Sequence, residues 1–340
     1  MTLKTHCTPR PSVFDRNRRD IVLDLSDFLE GDADGERFGE RFFEENFITN
    51  GMKILFEKTF ARLESRGDQA STFLLTQSMG GGKTHNMIAL GLLAKHPSLR
   101  ERVLGKGGYG SKVGGVRVIG FHGRQTDAQF GIWGELADQL GKKAVFKDYY
   151  QPLQAPGQSA WINLLKGEPT LILLDELPFY LHAVQAKAIG STTLSTVTAT
   201  AIANLLVAVN KAELSNVCVV IADLTASWQA GGAMLNSALD NLKNETSRSA
   251  LRIEPVSSQG EELYHILRTR LFQTLPDQSV RSQVASAYAE AVKAARQMDV
   301  TNHSPDSLPH SCRSRIRSTL GCAICMPGSR KTPASSKPVV

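Results

Sequence analysis

No apolar run in this chain of 340 residues approaches the roughly 18 residues that a membrane helix needs. The first twenty residues carry Lys4, Arg10, Arg16, Arg18 and Arg19 with no hydrophobic stretch among them, so no secretory signal is expected. The expected setting is cytoplasmic, with no membrane partner. Cysteine is too sparse and too scattered for a disulfide framework. Of the five, Cys312, Cys322 and Cys325 crowd into the last thirty residues, and Cys218 lies in an apolar run where a buried free thiol is the ordinary reading. Acidic residues are nearly absent from positions 301–340, where Asp306 faces six basic groups. That segment supplies five of the six net positive charges, so the charge balance gives no support for a nucleic-acid surface on the rest of the chain. An internal repeat is also lacking.

What is present is an alternation of strand-like and helix-like segments from about residue 70 to residue 256, the pattern of a parallel sheet flanked by helices. Strands are expected at 71–76, 116–121, 170–174, 217–222 and 250–256. Helices are expected at 83–94, 130–140, 194–210 and 233–243. Upstream, Asp15–Leu29 is charged and mixed, Gly31–Gly35 reads as a loop, and Phe42–Leu63 has helical periodicity. Residues 261–272 and 280–297 have helical spacing and read as the start of a lid.

Between the first strand and its helix stands TQSMGGGKTH. Consecutive glycines let a backbone curl around phosphate oxygens, and the amides of Gly80, Gly81, Gly82, Lys83 and Thr84 are candidates to do so at a helix N-terminus. In such a loop Lys83 neutralises the β- and γ-phosphates and the Thr84 hydroxyl ligates Mg²⁺. One departure stands out: the position that usually opens the pattern with glycine holds Gln77. The strand Thr170–Leu174 runs into Asp175 and Glu176. A carboxylate pair there suits a magnesium ligand (Asp175) followed by a group that orients or deprotonates water (Glu176). After the strand at 217–222, Asp223 and Thr225 are candidates for sensing the γ-phosphate, with capping of the strand end as the competing reading. Arg248, ahead of the last strand, is a candidate arginine finger or a surface cation. His85 is expected to be a helix-face residue without chemistry.

With both motifs in place the chain resembles the AAA+ branch of P-loop ATPases. The segment RSALRIEPVSSQGEELYHILRTRLF is similar to that branch's last core strand and first lid helix. More narrowly, GGGKTH, LLDELPFYL and FFEENFITNGMKILF resemble the bacterial family known as domain of unknown function 499, over about residues 10–300. The resemblance implies a three-layer αβα P-loop NTPase with a central, mostly parallel sheet and an incomplete helical lid. It divides the chain into an N-terminal extension packed on the core (1–69), the ATPase core (70–258), the start of the lid (259–300) and an aberrant tail (301–340). It also implies ATP and Mg²⁺ as cofactors, hydrolysis in a motor or remodelling subunit, homo-oligomers, and DNA or DNA-methyltransferase-linked partners in phage defence. ATP over GTP rests on the resemblance together with the lack of an Asn-Lys-x-Asp motif. The alternatives are a nucleotide-gated switch or scaffold without significant turnover, and an inactive truncated product.

The tail offers His310, Cys312, Cys322 and Cys325 in a zinc-like arrangement, but a single C-x-x-C is a weak signal. Back-translation one nucleotide earlier allows a segment resembling the family's continuation. The expectation is therefore a frameshift near residues 303–312 that shortens the lid, rather than a zinc site.

Overall fold

A computed structural model describes residues 7–14, 24–31, 35–65, 69–76, 82–222, 244, 246, 250–257 and 261–294. They fall into two units. The larger takes, among the described residues, 24–44 and 48–257; the smaller takes 7–14, 45–47 and 261–294.

The larger unit begins with helices α1 (Leu25–Glu30), α2 (Gly35–Glu45, whose last residue falls in the smaller unit) and α3 (Asn50–Leu63). There follow β1 (Thr72–Leu75), α4 (Lys83–Lys95), α5 (Pro97–Leu104), β2 (Arg117–His122), α6 (Gly131–Gln139) and α7 (Gln158–Leu165). The unit ends with β3 (Thr170–Asp175), α8 (Leu177–Ala183), α9 (Leu194–Val209), β4 (Val217–Ala222) and β5 (Ala250–Ile253). The strands make one sheet in the order β2-β3-β4-β1-β5, and every pairing is parallel. The fold is mixed α/β with a central parallel sheet.

The three inner strands β1, β3 and β4 read as continuous apolar runs because both faces of the sheet are covered there. All residues of β1, β3 and β4 are buried. Side chains alternate between the faces with the two-residue period of a strand. Phe73, Leu75, Leu171, Leu173, Cys218 and Val220 share one core with residues of α1, α3 and α4. Leu74, Ile172, Leu174, Val219 and Ile221 share the other with residues of α6 through α9. The chain therefore leaves β1 on one face and leaves β3 on the other. In an open α/β sheet, connections that diverge in this way open a crevice at the carboxyl ends of the strands.

Two buried arginines donate to backbone carbonyls. Arg62, near the end of α3, donates to the carbonyls of Val209 (2.7 Å), Leu214 (2.9 Å) and Val217 (3.2 Å). It thereby satisfies a buried carbonyl at the end of α9, where a cation also suits the helix dipole. Arg100 donates to Leu93 at the end of α4 (3.1 Å), to Gly114 (3.1 Å) and to Val113, and lies over the Phe60 ring.

The periodicity at 42–63 resolves into two helices rather than one. The break comes where the Thr49 hydroxyl accepts the amide of Met52 (3.1 Å), an N-cap that starts α3, and donates to the Pro255 carbonyl (2.5 Å). The expected helix at 233–243 lies outside the described residues, as do residues 301–340 with the candidate zinc ligands His310, Cys312, Cys322 and Cys325.

In the smaller unit, Thr8–Pro9 pairs antiparallel with Phe272–Thr274, and Arg10 donates through Nε to the Thr269 carbonyl (2.7 Å). Its helices are α10 (Glu262–Leu271) and α11 (Gln278–Ala294). The Phe47 ring stacks on His265, and Asp277 caps α11 by accepting from Ser279 Oγ and Val280 N, which holds its carboxyl below the usual range. Among the described residues no helix is long and apolar enough to cross a membrane.

Candidate functional site

The site forms at the carboxyl ends of β1, β2 and β3. Gly80 and Gly81 of the glycine run lie outside the described residues, as do Gln77, Asp223, Thr225 and Arg248. Gly82 is described, with φ 77° and ψ 21°. That left-handed backbone is open to glycine at no steric cost and ends the loop just ahead of α4. Its carbonyl accepts both the backbone amide of Asn86 (2.9 Å) and the Asn86 side-chain amide (2.8 Å), which fixes the turn. Lys83 and Thr84 are the first two residues of α4, where backbone amides lack intrahelical acceptors and attract anions. His85 stacks on Phe42 at 4.5 Å, which makes it a packing residue.

Asp175, the last residue of β3, is 2% exposed. Its Oδ2 accepts the Thr84 hydroxyl at 2.5 Å, and its Oδ1 accepts the Glu176 amide at 2.9 Å. Burial pushes the Asp175 carboxyl above the ordinary range, and these two hydrogen bonds and nearby His122 pull it only part of the way back. A carboxylate that costs energy to ionise in place is a carboxylate that gains from a cation. One hydroxyl and one carboxylate, both oxygen donors, suit Mg²⁺, which keeps several waters and takes few protein ligands.

Glu176 has a left-handed backbone, φ 50° and ψ 31°, a conformation that disfavours residues with a Cβ. It follows β3 and is the N-cap residue of α8, and its carbonyl accepts the Phe179 amide at 3.0 Å. The strained turn takes its carboxylate toward the end of β2. There Oε2 accepts Arg124 Nε at 2.8 Å and lies 3.6 Å from His122 Nε2. His122 is 6% exposed, and its Nδ1 lies 3.7 Å from Oδ1 of Asp24, which also accepts the Ser26 amide to cap α1. Arg124 lies over the Phe179 ring, 5.0 Å from its centre. Between the two, Gly123 donates its amide to the Asp175 carbonyl (2.9 Å) and presses so closely on the Glu176 carbonyl that a Cβ would collide with it.

Asp24, His122 and Arg124 are members of the site that local sequence patterns do not reveal. His122 is the parallel register partner of Asp175, so the one available signal was a polar residue closing the strand next to the acidic one.

No curated protein matches the chain. Residues 125–251 match the model of a family described as DUF499 N-terminal domain, a span that contains Asp175 and Glu176 and begins after the glycine loop and Arg124.

Proposed function

We propose that this chain binds ATP with Mg²⁺ at the N-terminus of α4 and hydrolyses it, as a motor or remodelling subunit. One observation carries the reading: the hydroxyl at the second position of α4 and the carboxylate ending β3 are in direct contact, across 91 residues of sequence. That is the juxtaposition a phosphate loop and an acidic strand require if they are to share a metal. Further support comes from the left-handed Gly82 ahead of Lys83, and from the crevice expected where the chain leaves β1 and β3 on opposite faces.

In this reading the α4 amides and Lys83 hold the phosphates, while Thr84 and Asp175 hold Mg²⁺. When bound there, Mg²⁺ would supply neutralisation of the phosphate charge. Glu176 accepts the proton of the attacking water. The test is turnover of Mg²⁺–ATP with and without DNA. Turnover that rises with DNA and vanishes in Glu176→Gln, with ATP still bound, is the expected result. Negligible turnover alongside tight binding would instead indicate a nucleotide-gated switch.

A further inference from the structure

We propose that Arg124 and His122 are positioning residues for Glu176, and that they hold its Oε2 so that Oε1 is left to take the proton of the attacking water. The inference rests on the proposed hydrolysis.

Arg124 Nε donates to Oε2 at 2.8 Å, and His122 Nε2 lies beside the same oxygen at 3.6 Å, beyond hydrogen-bond reach. Among the described residues Oε1 has no hydrogen-bond partner. A carboxylate gripped at one oxygen and open at the other has a defined direction for its remaining lone pairs, which is what a base needs in order to accept a proton along one line. Each neighbour is itself fixed. Arg124 is set by the tight approach of Gly123 to the Glu176 carbonyl and by the Phe179 ring. His122 is buried between Glu176 and Asp24, and Asp24 is anchored as the N-cap of α1.

Stability does not account for the Arg124 pair. The arginine side chain is 61% exposed, and ion pairs this solvated add little to a fold. A left-handed glutamate, by contrast, carries a backbone cost, as expected where geometry serves chemistry. In the reaction the water oxygen bonds to the terminal phosphorus as the bridging phosphorus–oxygen bond breaks. The electron pair leaves with the nucleoside diphosphate, and the water proton passes to Oε1 of Glu176.

The experiment uses the full chain with Mg²⁺–ATP and compares wild type, Arg124→Gln, Arg124→Lys, His122→Asn and Glu176→Gln. Arg124→Gln is expected to lower kcat by about tenfold or more. ATP affinity, read with a fluorescent nucleotide, and the melting temperature should stay near wild type. Arg124→Lys should restore part of the rate, and His122→Asn should lower kcat in the same direction. Wild-type turnover that is unchanged or raised in Arg124→Gln overturns the positioning role, a rise meaning that the pair restrains the base instead. Absence of turnover in the wild type contradicts the proposed function itself, and the positioning role with it.

Discussion

The hydroxyl of Thr84 and the carboxylate of Asp175 meet at 2.5 Å, joining the first turn of the helix after β1 to the end of a strand two places away in the sheet. Each has a further tie to the fold: Thr84 through α4, which is buried between the sheet and α1 and α3, and Asp175 through the Glu176 amide. The contact is therefore a product of the whole larger unit rather than of either motif.

Asp175 carries a cost in the ligand-free protein. Its carboxyl is raised by burial, so the folded state holds the proton more tightly than the unfolded chain, whose value is about 3.9. The stability linked to this group is therefore fully present below the unfolded value and is lost as pH rises through the folded one. Asp175→Asn keeps an oxygen for Thr84 and removes the charge. It should be more stable than wild type without ligand near pH 7, with the gap closing as pH falls toward about 4. Urea denaturation at several pH values checks this, and the same variant should lose the stabilisation that Mg²⁺–ATP confers.

Backbone strain at Glu176 can be isolated from its charge. Glu176→Ala and Glu176→Gly both remove the carboxylate, but only glycine relieves the left-handed conformation. The glycine variant should be the more stable by about 1 kcal/mol, or roughly 3 °C in melting temperature, and both should be inactive. Equal melting temperatures would mean that the turn stores no strain.

Arg62 tests the fold apart from the site. Arg62→Leu leaves the carbonyls of Val209, Leu214 and Val217 without their donor inside the larger unit. A loss of about 2 kcal/mol or more is expected in denaturant titration, with a melting temperature lower by on the order of 5 °C. Cys218, buried close by with its thiol pushed up to about 12, should stay unreactive to thiol reagents in the native protein and react on unfolding.

Strands β1, β3 and β4 were legible because each is an apolar run buried on both faces, and the expected limits of all five strands differ from the observed ones by a few residues at most. Helix boundaries that depend on tertiary contacts were less so. The periodicity of 42–63 runs through the break at Thr49, whose hydroxyl finds the Pro255 carbonyl only once β5 is in place. The short helices α1, α7 and α8 carry too few turns for periodicity to mark them. At the site, Thr84, Asp175 and Glu176 are recognisable because phosphate loops and acidic strand ends have residue signatures. His122, Arg124 and Asp24 have none. Their role follows from strand register and from the left-handed turn at Glu176, a conformation that a glutamate in the sequence gives no reason to expect.

The central claim is nucleotide binding at the start of α4, and calorimetric titration of Mg²⁺–ATP into wild type and Lys83→Ala tests it most directly. Lys83 opens α4 beside the Thr84–Asp175 contact. Saturable binding by wild type, weakened at least about tenfold in Lys83→Ala and dependent on Mg²⁺, is the predicted result, a tenfold change being about 1.4 kcal/mol. No binding by a folded wild-type chain, or equal binding by the variant, would contradict it.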